Sequence, residues 1–392
     1  MWMNSSWWKQ WLVVAVLAGG GPLRAAEPVA EYLGEARLLG DSRDRSGLTQ
    51  ELIADHPANQ FGGISAIEHW QGNQYLLLPD RGFGDGAVAF QTRYHRATID
   101  VDGARDGLIP ISIDQTTLLS DSDGCPLVGR ESVDSSPARP TRLDPEDLRV
   151  VRIPGQPALL AISDEYGPRV DLYGLDGRRV REYSIPDYYQ VAIHGTAEQE
   201  QVNTRGRQTN SGFEALGLVP DGSALFAVIQ APLLQDGGDE GLYCRILRID
   251  RGTGKTREFA YERESANSVI CSLLMIDQER GLILERDGKS GVEAACKQVK
   301  WVDFREATET STIDSLPKEP IQKKSGMVPV ESRKLIDLLE YEVIQKDPPK
   351  KFEGLAWGPD RQDGRKLLLV SVDNDFSVRN PTRIFAFAIR LP

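Results

Sequence analysis

Cysteine, histidine and methionine are scarce in this chain, four of each among 392 residues. Cys125, Cys244, Cys271 and Cys296 show no C-x-x-C spacing, which argues against a structural zinc site. His56, His69, His95 and His194 are too scattered for a metal cluster and read as surface or packing residues. No G-x-S-x-G elbow is present, which argues against an α/β-hydrolase. No R-H-G-x-R-x-P phosphatase motif occurs either. Clustered basic residues are lacking: 46 Lys and Arg face 58 Asp and Glu, a formal charge of -12. Such a balance disfavours nucleic acid and anionic membranes as partners. No Pro/Ser-rich linker divides the chain, so one large domain is expected. Few segments keep a 3.6-residue period; the one helical candidate is ESRKLIDLLEYE from Glu331.

Long apolar runs are also missing. The longest, Trp11 to Ala18 after Lys9, is too short for a bilayer span of about 20 residues. With the small residues Ala25 and Ala26 before Glu27, it reads as a secretory signal over residues 1 to 26. The expected mature domain is 27 to 392, periplasmic or secreted, without a transmembrane segment. Export implies an oxidising compartment, and a disulfide among Cys244, Cys271 and Cys296 is expected.

What is present is repetition. LDPEDLRVV from Leu143, GFEALGLVPDG from Gly212 and KFEGLAWGPD from Lys351 share an acidic motif, each followed by a turn and an apolar strand. NQYLLLPDRGFGDG from Asn73 and RGLILERDGKSG from Arg280 share the second half, with Asp80-Arg81 and Glu285-Arg286 after the strand. Short β-rich segments bounded by Gly, Asp, Asn and Pro fill the rest, with hairpins at DLYGLDGRRVREYSI and RILRIDRGTGKTREFAY. Grouped in fours, the strands give modules at about 61–120, 142–184, 211–262, 268–345 and 352–389. This is the signature of an all-β propeller with five or six four-stranded blades. A sixth blade has room only in the long fourth module. The last module lacks a strand, which EYLGEARLLG from Glu31 supplies by pairing the chain's two ends. Polar insertions at 121–141, 186–210 and 305–328 are expected to cover a functional face.

In a propeller, the start of a blade's first strand and the end of its second lie on one face. That places Glu146, Glu214 and Glu353 beside Asp80, Asp164, Glu165, Glu285, Asp373 and Asp375 around a single channel mouth. Crowded carboxylates need raised pKa values or a cation. Oxygen ligands without a matching His or Cys cluster suit calcium, with Glu146, Glu214, Glu353, Asp373 and Asn374 as its shell. Arg81 and Arg286 are candidates for gripping an anionic substrate, and Glu165 or Glu285 for the general base. The plainer reading makes each acid a turn cap or a local ion pair. Gly62-Gly63 and Gly82-x-Gly84, without a following helix, read as tight turns or close packing and not as a phosphate loop.

The motifs LPDRGFGD, DPEDLRV, AISDEYGPRV, NSGFEALGLVPDG, LILERDG, FEGLAWGPD and LLLVSVDNDF, in this order, resemble the phytase-like ("esterase-like activity of phytase") family of bacterial exported proteins. The resemblance implies a β-propeller, a periplasmic or secreted location and a hydrolase linked to phosphoesters. It carries acidic motif positions onto Glu146, Glu214, Glu353, Asp80, Asp164, Glu165, Glu285 and Asp373. Asp147 departs from the pattern, which has glycine after the glutamate. The expected function is an exported hydrolase of a phosphate ester or related small anionic ester at a calcium-assisted acidic channel. The alternatives are a non-catalytic binding propeller of the cell envelope and a lactonase-type metal propeller.

Overall fold

The two ends of the chain pair with one another. In the computed structural model, which describes residues 29–54, 56–84, 86–130, 142–320 and 326–392, strand Ala30–Leu38 runs antiparallel to Thr382–Ile389 from Ala30↔Ile389 to Leu38↔Thr382. The expected signal, residues 1 to 26, lies outside the described residues. The closing strand Thr382–Ile389 is buried along its whole length. A two-faced burial of this kind dictates a continuous apolar run in place of alternation. Each of its aromatics, Phe385 and Phe387, contributes roughly 2–3 kcal/mol by leaving water.

Five sheets of four or more strands follow one another along the chain. Blade I comprises Ile64–Gln71, Gln74–Pro79, Arg93–Ile99 and Ile111–Leu118. Blade II comprises Pro145–Val151, Leu159–Asp164, Arg169–Gly174 and Arg179–Glu182. Blade III holds Phe213–Leu218, Ala224–Ile229, Tyr243–Asp250 and Thr256–Glu262. Blade IV holds Ser268–Met275, Arg280–Asp287, Lys297–Asp303 and Glu331–Asp337, and blade V Lys351–Trp357, Lys366–Asp373, Thr382–Ile389 and Ala30–Leu38. A short strand, Leu108–Ile109, extends blade V by parallel pairing with Ala30–Leu38. The first strands of successive blades lie side by side in a closed ring, and the last of them meets the first. Apolar clusters fill the spaces between blades, for instance Ile67, Tyr75 and Leu77 against Leu367, Leu369 and Ala386 where blade I meets blade V. This is a five-bladed propeller.

Two expectations, the helix and the disulfide, require correction. ESRKLIDLLEYE is not a helix: Glu331–Asp337 is the outer strand of blade IV, paired with Lys297–Asp303, and only short helical turns follow at Leu338–Glu340 and Glu342–Gln345. The edge of that sheet supplies backbone partners that a local helical preference does not outweigh. The length of the fourth module comes from the connection between its third and fourth strands, and among the described residues no sixth blade occurs. All four cysteines are free, so the expected disulfide is absent. Gly63 and Gly82 have positive φ and pack against the rings of Phe376 and Phe90, which makes them turn and packing glycines.

Candidate functional site at the channel mouth

One irregularity recurs in every blade. Close to the start of each first strand, the register against the second strand slips, leaving one extra residue on the first. A β-bulge re-aims a side chain and is frequent beside active sites. The bulged residues are Ser65 in blade I, Glu146 with Asp147 in blade II, Glu214 in blade III, Cys271 in blade IV and Glu353 with Gly354 in blade V. All are buried or nearly so.

The same registers define a second ring at the ends of the second strands. Asp80, Glu165 and Gln230 each donate a backbone N–H to the residue two positions before the bulge, Gly63, Asp144 and Gly212 respectively. Arg286 pairs with Val269 and Asp373 with Lys351 at the equivalent places. The outer ring is therefore Asp80, Glu165, Gln230, Arg286 and Asp373. Blade IV thus places an arginine where blades I, II and V place an acid.

This register separates the residues the sequence grouped. Glu285 is equivalent to Pro79 and Asp164, one residue short of the ring. A shift of one residue turns a side chain to the other face of its sheet. Its carboxylate accepts from Tyr261 Oη at 2.7 Å, Ser268 Oγ at 2.5 Å and the Glu264 N–H at 2.6 Å, with Lys300 Nζ at 2.9 Å. Asp164 is similarly occupied by Arg169 and by the N–H groups of Asp144 and Tyr166. Asn374 spends its amide on backbone: Oδ1 accepts from Gly63 N–H at 3.0 Å, and Nδ2 donates to Ser377 and Asn380 carbonyls at 3.3 and 2.8 Å. It ties the loop after blade V to the entry of blade I.

Two compact groups remain at the mouth. In blade II, Asp144, Glu146 and Glu165 each place a carboxylate oxygen within 4.8 Å of the others. Arg81 reaches them from blade I, with Nη1 3.0 Å from Asp144 Oδ2 and 3.9 Å from Glu165 Oε2, and it also bonds Asn210 at the end of the 186–210 insertion. Oε1 of Glu165 is buried without a hydrogen-bond partner among the described residues. Across blades III to V, one ligand atom each of Glu214, Cys271 and Glu353 lies within 4.8 Å of the others. Arg286 Nη2 donates to Glu353 Oε1 at 2.5 Å, and Oε2 of Glu214 is buried without a hydrogen-bond partner among the described residues. In blade V, Lys351 Nζ lies 2.9 Å from Asp373 Oδ2 and also contacts Asp375.

Burial, then the charges of Glu214, Asp144 and Glu165, hold the Glu146 carboxyl well above the usual carboxylate range. Glu165 is raised by burial and by Asp144 and Glu214, and Asp80 by burial, Asp373 and Asp144. Burial and the neighbouring Glu353 push Glu214 up to about 8, with Arg286 pulling the other way. Such groups either stay protonated or take a cation, and oxygen-only Asp144, Glu146 and Glu165 fit a hard one. Calcium, the expected ion, has the ligand type it needs in that trio.

Sequence reasoning missed Asp144, Gln230, Lys351 and the mouth position of Cys271. Asp144 stands in the quoted DPEDLRV motif two residues before Glu146, and Lys351 occupies the same offset before Glu353; that shared offset was the available signal.

A model of the family described as phytase-like, "esterase-like activity of phytase", matches residues 59–376. The chain belongs to the phytase-like family. This phytase-like propeller is 26% identical over 260 residues to an uncharacterized secreted protein of Arthroderma benhamiae, a match covering 52% of this chain and 50% of that protein. The chain thus spans about half the length of this curated relative. Among solved structures, the PQQ-bound aldose sugar dehydrogenase of Streptomyces coelicolor is 11% identical with a TM-score of 0.38, covering 93% of this chain and all (100%) of that one. The periplasmic gluconolactonase of Pseudomonas aeruginosa is 12% identical with a TM-score of 0.36, covering 91% of this chain and 96% of that one. At these scores the likenesses add nothing to the fold already described. Among the described residues no helix is long and apolar enough to cross a membrane.

Proposed function

We propose that this phytase-like propeller is an exported hydrolase of a small anionic ester, a phosphate ester or a close relative, working at the channel mouth with a hard divalent cation, calcium. The observation that carries the reading is the blade II trio, three buried carboxylates within 4.8 Å of one another beside an arginine, with one buried oxygen unpartnered. Three negative charges against one guanidinium leave a deficit that a divalent cation neutralises. Membership of the family supports an ester substrate, and the relative described as secreted supports export.

When bound, such a cation supplies Lewis acidity and lowers the pKa of water. Asp144 and Glu146 would hold it together with one oxygen of Glu165. The unpartnered Oε1 of Glu165 takes a proton from the attacking water and returns it to the ester oxygen as that bond breaks. Glu285, the other expected base, has its carboxylate filled by four partners and is assigned to the structure of blade IV. Arg81 and Lys351, both partly open to solvent, hold the substrate's anionic group at the rim. Arg286 is nearly enclosed and committed to Glu353, so it shapes the field of the mouth more than it grips substrate. Asp373, paired with Lys351, positions that amine.

The test is metal content by elemental analysis, alongside hydrolysis of phosphate, carboxylic and lactone esters with and without chelator. Stoichiometric calcium and phosphate release, both lost in Glu146→Gln, support the reading. Lactone opening without phosphate release would reassign the substrate. Inertness toward every ester, with no metal at millimolar calcium, would leave a binding propeller.

A further inference from the structure

The second group differs from the first in one atom type. Glu214, Cys271 and Glu353 occupy the same bulge position in three consecutive blades, so the fold presents them to the channel in the same way. Their ligand atoms lie within 4.8 Å of one another. Their exposures are 4%, 2% and 5%. A tetrahedral shell with bonds of the usual length sets its ligand atoms about 3.5 Å apart, inside that 4.8 Å limit. Oε2 of Glu214 is buried here with no hydrogen-bond partner among the described residues.

From this geometry we infer a second metal site at the mouth, Glu214–Cys271–Glu353, that takes a thiophilic divalent cation of the zinc type, beside the oxygen-only trio of blade II. A thiolate selects softer metals than carboxylates alone do. Two carboxylates, one sulfur and an open fourth position make up the three-ligand arrangement of a zinc site that keeps a place for water or substrate. Charge supports the assignment. Two carboxylates and a thiolate carry three negative charges, Arg286 beside Glu353 supplies one positive charge, and a divalent cation supplies the remaining two. Glu353 retains the capacity to serve both, because a carboxylate offers about four lone-pair directions and Arg286 uses two. The bridge expected among Cys244, Cys271 and Cys296 does not form, and the Cys271 thiol is free.

Cobalt(II) is the probe, added to the full mature chain after chelation and dialysis. A thiolate ligand gives a sulfur-to-cobalt charge-transfer band in the near ultraviolet, which oxygen ligands do not produce. The expected result is a band that saturates at one cobalt per chain, is abolished in Cys271→Ser, weakens at least tenfold in cobalt affinity in Glu214→Gln, and persists in Glu165→Gln. Zinc displaces the band and calcium does not. Absence of the band at saturating cobalt, or its survival in Cys271→Ser, overturns the site. Circular dichroism reports whether Cys271→Ser folds; if it does not, the Glu214→Gln affinity decides. The two proposals separate cleanly, since calcium binding and ester turnover report on blade II while this band reports on Cys271.

Discussion

Arg286 of blade IV donates to Glu353 of blade V through Nη2, 2.5 Å from Oε1, with Nε 3.4 Å from Oε2. Both side chains are almost wholly enclosed, 9% and 6% exposed. Removing one partner of such a pair leaves a buried uncompensated charge, which costs about 3–5 kcal/mol, whereas removing both costs far less. Arg286→Met is therefore expected to lower the urea midpoint strongly, and Arg286→Met with Glu353→Gln to recover most of the loss. A double variant as unstable as the single would show that the pair is not what the arginine serves.

The pH dependence of the metal-free protein has a definite sign. Glu214 is raised to about 8 and Asp147 to about 7, both first by burial. A carboxyl whose folded pKa exceeds its unfolded value, near 4.5 for Glu214 and 3.8 for Asp147, binds more protons when folded, so it costs stability as pH rises through that window. His95, lowered to about 3 by burial, acts oppositely, but only up to its unfolded value near 6.5. Between pH 6.5 and 8 the chelated protein should therefore lose stability, at up to roughly 1.4 kcal/mol per pH unit for each carboxyl still protonated in the folded state. Glu214→Gln should flatten the slope. Melting curves that are level or rising over this window in the wild type would refute the assignment.

Much of the architecture was legible because its cause is local. The turn dipeptides, the apolar segments and the recurring acidic motif are written in consecutive residues, and the pairing of Glu31 with the C-terminal strand follows from one blade being a strand short. The site was legible only by residue type. Whether Glu285 or Arg286 faces the channel depends on a bulge at Cys271, and a bulge is set by cross-strand register, which spacing along one strand does not reveal. Asn374 beside Asp373 carried a ligand's chemistry, yet the backbone of Gly63 claims it.

That difference can be tested directly. Asn374→Ala should cost about 1–3 kcal/mol, the usual penalty for leaving buried backbone partners unpaired, and leave metal content unchanged. Glu285→Gln should behave likewise, because Lys300 would lose its buried counter-charge. Glu165→Gln should do the reverse, retaining the melting temperature of the chelated protein while losing turnover. Metal loss in Asn374→Ala at full stability would return that residue to the ligand shell.

Deeper in the channel, Asp147 and Arg149 explain why a residue other than glycine follows Glu146. In blade V the equivalent Gly354 has no room for a Cβ, which would lie 2.5 Å from Ser371 Oγ and 2.9 Å from Ile67 N. In blade II the Asp147 carboxylate is instead used. Its Oδ1 lies 2.9 Å from Arg149 Nη1, and its Oδ2 accepts from Arg149 Nη2 at 3.0 Å, Leu216 N–H at 2.9 Å and Ser272 Oγ at 3.2 Å. Arg149 extends the link to the carbonyls of Ile67 and Leu273. One ion pair thus bonds blade II to blades I, III and IV. Arg149→Met alone should lose about 3–5 kcal/mol, since Asp147 would remain buried and unpaired. Asp147→Gly with Arg149→Leu should lose less than the sum of the two single changes, a coupling readable in a double-mutant cycle by urea unfolding. Strict additivity would mean that the two side chains hold the blades independently.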